Sequence, residues 1–65
     1  MDNKNRNQII ENKIKSEISN IAYDKIQIDF FTKKGDKDNV NRYKERIKEH
    51  QENIDIWESL LIKED

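Results

Sequence analysis

A chain of 65 residues with no cysteine, no proline and one glycine has room for one domain, residues 1–65, and cannot brace it with disulfides or thiolate-held metal. Charged residues make up 42% and apolar ones 32%, a balance close to that of disordered chains, while the net charge of −1 gives no overall attraction to nucleic acid or an anionic membrane. No apolar run reaches the length of a membrane span or a secretory signal core, so the expectation is a cytoplasmic protein that gains stability from self-association or a larger partner.

The first residues, 1–7, are polar and are expected to fray. Helix 1 is predicted over about residues 5–34, where Ile10, Ile14, Ile21, Ile28 and Phe31 recur at helical spacing. Glu17 and Asp24 interrupt that stripe. The simplest way to keep them wet is a small rotation of the helix that brings Ile18, Ala22 and Lys25 into the contact, giving the wider apolar face of a bundle helix.

A turn is predicted at about residues 35–37. Gly35 can take the left-handed conformation just past a helix end, with Lys33 and Lys34 beside the negative end of that helix. Asp36 or Asp38 can then cap the next one. Helix 2 is predicted over about residues 38–63, where Val40, Tyr43, Ile47, His50, Ile54, Trp57 and Leu61 alternate at spacings of three and four, the seam of a coiled coil. Each helix would be roughly 40 Å long at about 1.5 Å per residue.

A connection this short makes the helices antiparallel, so the fold class is all-α: a helical hairpin, or two-helix coiled coil. Folding the chain about Gly35 so that facing residue numbers sum to about 71 sets Phe31 against Val40, Ile28 against Tyr43, Ile21 against His50, Ile14 against Trp57 and Ile10 against Leu61. The two seams then agree in phase. The same register sets Asp29 beside Arg42 and Lys13 beside Glu58, pairs worth only ~0.2 to 1 kcal/mol each when exposed.

A second apolar set lies off the seam: Tyr23, Ile26 and Phe30 on helix 1, with Ile56, Leu60 and Ile62 on helix 2. Residues 33–48 hold Lys33, Lys34, Lys37, Arg42, Lys44, Arg46 and Lys48 against Asp36, Asp38 and Glu45. Residues 49–65 hold six carboxylates against Lys63 alone. This polarity opposes the macrodipole of helix 2, but it suits an antiparallel pair of hairpins in which each basic turn lies beside the partner's acidic open end. The expectation is a homodimer, a four-helix bundle whose interface is Tyr23, Ile26, Phe30, Ile56 and Leu60.

Chemistry-bearing motifs are absent. The serines have no histidine placed by local spacing, there is no phosphate-cradling glycine loop, and no ligand spacing for a metal is present. His50 reads as a polar seam residue with Glu17, Asp24 and Gln51 as possible neighbours, and charging it in an apolar setting would weaken the assembly below about pH 6. The functional expectation is a non-enzymatic protein–protein interaction module with no cofactor, metal, small-molecule substrate or membrane partner, which regulates or inhibits a larger protein or joins an assembly. The alternative is a nucleic-acid-binding hairpin dimer that grips phosphates through Lys33, Lys34, Lys37, Arg42, Lys44, Arg46 and Lys48. The abundance of Asn, Lys and Ile is what an A+T-rich genome encodes, an association that points to a low-GC bacterium, its phages or its mobile elements.

Overall fold

Two helices, α1 (Asn3–Lys34) and α2 (Lys37–Ser59), pack against each other along their length in a computed structural model that describes residues 2–63. The molecule is a rod of 51 × 17 × 14 Å. Its length follows from the 32 residues of α1 at about 1.5 Å each.

α1 starts earlier than the polar composition of its first residues suggested. The Asp2 carboxylate accepts from the Asn5 backbone N–H at 2.8 Å, and the Asp2 carbonyl accepts from Arg6 N–H at 3.1 Å. That side-chain cap supplies one of the partners that the first-turn N–H groups otherwise lack.

The turn is the predicted one. Gly35 has φ 75°, and the Asp36 N–H reaches back to the Phe31 carbonyl at 2.9 Å while the Gly35 N–H reaches that of Thr32 at 3.1 Å, a Schellman termination. A Cβ on Gly35 would meet nothing within 4 Å, so the need for glycine here is purely one of backbone conformation.

Of the two possible caps for α2, Asp36 is used. It accepts from the Asn39 backbone N–H at 3.2 Å and from the Asn39 side-chain amide at 2.7 Å. The Asn39 side chain, then its backbone N–H, hold the Asp36 carboxyl below its ordinary value of 3.8. A lowered carboxylate stabilises the fold above its unfolded pKa, and that stabilisation is lost as pH falls through the folded value. Asn also caps helices but does not titrate. Asp36→Asn is therefore expected to lose less stability than the native chain when unfolding midpoints are compared between pH 5 and pH 2.

α2 is shorter than predicted. It ends at Ser59 rather than near Lys63, with Leu60 and Leu61 N–H groups closing a tight last turn on the Trp57 and Glu58 carbonyls. The cause lies on α1. The Asn7 amide donates to the Ile62 carbonyl at 2.7 Å and accepts from the Ile62 N–H at 2.9 Å, and Arg6 reaches the Leu60 carbonyl at 3.5 Å. This two-point grip on backbone groups replaces the hydrogen bonds of another helical turn and straps the chain end across the start of α1. Residues 64 and 65, which the sequence reading counted in the acidic end, lie outside the described residues.

Cross-helix contacts confirm the register. Phe31 stacks on Tyr43 with ring centroids 5.8 Å apart, Gln27 donates to the Tyr43 hydroxyl, and Glu17 meets Asn53; each pair of residue numbers sums to within a few of 71. The two ion pairs expected to accompany it do not form: neither Asp29 with Arg42 nor Lys13 with Glu58 comes within 4.0 Å. These residues are exposed, where the gain from pairing is too small to hold two long side chains in place.

Candidate functional site: the polar seam and the exposed flank

The rotation of α1 expected from its interrupted stripe does not occur. Ile18, Ala22 and Lys25 are exposed, whereas Glu17 and Asp24 lie in the seam, and Asp24 is fully buried at 0%. The carboxylates are tolerated because α2 brings polar partners to both of them. Arg46 Nε donates to Asp24 Oδ1 at 3.1 Å. His50 stands between the two acids, with Nδ1 2.7 Å from Glu17 Oε2 and Nε2 3.5 Å from Asp24 Oδ2. Asn53 also approaches Glu17 Oε2, at 3.4 Å.

The spacing on each helix explains this arrangement. Glu17 and Asp24 are seven residues apart, two turns on one face of α1; Arg46, His50 and Asn53 follow at four and three on one face of α2. Gln51, a further expected neighbour of His50, is exposed. The Arg46 guanidinium is held more firmly protonated than usual, first by its hydrogen bond to Asp24 and then by that residue's charge. It also lies over the Tyr43 ring at 5.6 Å.

Among the described residues no group of three or more His, Asp or Glu side chains is arranged to hold a metal ion. In this cluster both histidine nitrogens already face carboxylates, and the Arg46 guanidinium is paired with Asp24. A concavity of about 420 Å³ lies at the hairpin tip between Phe31, Gly35, Asp36, Val40 and Lys44. Its one carboxylate, Asp36, is committed to Asn39, so no acid and base converge there.

Apolar side chains are divided unevenly between inside and outside. Ile10, at 4%, is the one fully buried apolar residue among those described; the other apolar seam positions are half-buried. Tyr23, Ile26, Phe30, Ile56 and Leu60, the expected interface, are all exposed, Ile26 to 65%, and so are Ile9, Ile18 and Ile62. Tyr23 leans edge-on toward Tyr43 at 6.4 Å, and Phe30 stands edge-on to Phe31 at 5.1 Å. The outer aromatics thus continue the seam aromatics around one flank of the turn-proximal half. Ile9, Ile56, Leu60 and Ile62 expose a second apolar area at the open end.

The seven basic residues differ in their surroundings. Arg46 is committed to Asp24, and the Lys34 ammonium sits over the Phe30 ring at 5.2 Å. Lys33, Lys37, Arg42, Lys44 and Lys48 are exposed. Arg42 and Lys44, two residues apart and so about 200° around the helix, point to opposite sides of α2. Among the described residues no helix is long and apolar enough to cross a membrane. No protein-family model, curated protein or solved structure matches the chain.

Proposed function

We propose that this chain is a small non-enzymatic interaction module that works as an antiparallel homodimer, a four-helix bundle, and presents the remaining helical surface to a larger protein that it regulates, inhibits or joins in an assembly. The observation that carries this reading is the imbalance just described: among the described residues, one fully buried apolar residue inside and eight large apolar residues outside. A folded monomer normally keeps such patches small, and a 65-residue hairpin has little core to spare. Tyr23, Ile26 and Phe30, continuous at helical spacing, are the anchor expected to dominate such an interface.

Charge supports the antiparallel arrangement. The turn half of α2 is basic and its open half acidic, so two hairpins with turns at opposite ends bring unlike charges together and lay Tyr23 and Phe30 toward the partner's Ile56 and Leu60. Screening over ~8 Å at physiological salt limits this to a choice of orientation. In the same arrangement the cytoplasm is the working compartment, since nothing in the chain calls for an oxidising one.

Sedimentation equilibrium at micromolar concentration tests the reading. The native chain is expected at twice its 7.9 kDa mass. Phe30→Asp is expected at the single mass with most of its helix retained, because it puts a charge where intermolecular burial is needed and leaves the seam intact. A native chain that is monomeric with a sharp thermal transition would overturn the proposal.

A further inference from the structure

We propose that His50 Nε2 and Asp24 Oδ2 share a proton taken from solvent, and that this proton helps to hold the hairpin closed, so that the fold weakens as pH rises through neutrality. Asp24 is fully buried, and its Oδ2 has no hydrogen-bond partner. The one group aimed at it is His50 Nε2, 3.5 Å away. The other ring nitrogen is already engaged: Nδ1 lies 2.7 Å from Glu17 Oε2, an approach that requires a hydrogen between them, supplied by Nδ1–H to the carboxylate.

A neutral ring with its hydrogen on Nδ1 has a bare lone pair on Nε2. That lone pair faces the oxygen of a fully buried carboxylate, which is the costly arrangement. One added proton turns the contact into an N–H···O hydrogen bond. The charge balance points the same way. From α1, His50 faces Glu17 and Asp24; from α2, the cation beside them is Arg46, which occupies Asp24 Oδ1, and Asn53 is neutral. Without the proton two carboxylates share one cation, and with it they share two.

Unfolding separates the imidazole from both acids, so the folded chain holds more protons than the unfolded one, and folding weakens with rising pH. This reverses the sequence-based expectation that charging His50 is destabilising, because the ring's setting is acidic instead of apolar. The inference concerns the hairpin itself and holds whether or not two copies associate.

The test is urea unfolding of the full chain, followed by circular dichroism at one fixed chain concentration, from pH 6 to pH 8.5. The folding equilibrium constant is expected to fall several-fold per pH unit, tenfold being the limit for one proton. His50→Gln and Asp24→Asn are each expected to flatten this dependence. A native constant that stays level or rises over the range would refute the proposal whatever the variants do, and so would a His50→Gln chain that keeps the native slope.

Discussion

Ile47→Asp is expected to abolish cooperative unfolding and leave a far-ultraviolet spectrum with most of the helix lost at 25 °C. Ile47 is a half-buried seam residue of α2 that falls opposite Asp24 in the observed register. Losing the isoleucine forfeits roughly 1.5–3 kcal/mol of burial. The new carboxylate adds a larger cost, since it would enter a seam where Glu17 and Asp24 already draw on Arg46 and His50 and no further cation is at hand. A single core of this size supplies only about 3–5 kcal/mol, so the two terms together exceed it. Ile47→Val, which removes one methylene, is expected to cost only about 0.5–1.5 kcal/mol and to stay folded. A cooperative transition near the native midpoint in the Asp variant would mean that the seam is not what holds the hairpin. The contrast with Phe30→Asp separates inside from outside: the first should lose helix, the second partner mass.

Much of this architecture is legible in the residues. Gly35 followed by Asp36 marks the turn because glycine alone takes the left-handed conformation without strain, and an aspartate there finds exposed N–H groups to cap. The register follows because the short turn at Gly35 leaves room for only a small offset, and the alignment it sets brings both apolar stripes face to face. What is not legible has a common cause, which is cooperation between residues far apart in the chain. Glu17 and Asp24 look misplaced when α1 is considered alone, and they are explained only by Arg46, His50 and Asn53 arriving from α2. α2 stops at Ser59 because Asn7, 55 residues away from Ile62, captures that residue's backbone groups. Helical spacing cannot reveal either event. The spacing of Tyr23, Ile26 and Phe30 does reveal their exposure, since it sets them on the side of α1 away from the seam. It carries no information about what covers them.

The seam and the flank therefore have different physical duties, and the polar cluster is the feature that separates them. An all-apolar seam would resemble the exposed flank, and a second copy could compete with the chain's own α2 for α1. Glu17, Asp24, Arg46 and His50 make that exchange unfavourable in any alignment but the native one, because a shifted helix would part the carboxylates from Arg46, His50 and Asn53. In the proposed dimer, self-association is then directed to Tyr23, Ile26 and Phe30, which have no such constraint.

Asp24→Leu should show what that specificity costs. The substitution is expected to raise the midpoint at pH 7.5, where the shared proton is partly lost. Replacing a whole buried ion pair by apolar residues is often neutral or stabilising by about 1–4 kcal/mol, and here the buried partner is replaced while the exposed one can return to water. Asp24 has no exposed surface to keep hydrated, whereas the Arg46 side chain is 47% exposed and can return to water without leaving a buried charge. His50 keeps its hydrogen bond to Glu17. Leucine then joins Ile21 and Ile28 in one continuous stripe. Urea unfolding at pH 7.5 is expected to show the higher midpoint, and the pH dependence between 6 and 8.5 should flatten, because the proton acceptor is gone. Sedimentation velocity should show a broader distribution of species than the native chain gives, as the seam loses its marker of alignment. A lower midpoint would mean that the Asp24, Arg46 and His50 contacts contribute net stability, and the cluster would then be a clamp in its own right instead of a device that selects the native pairing.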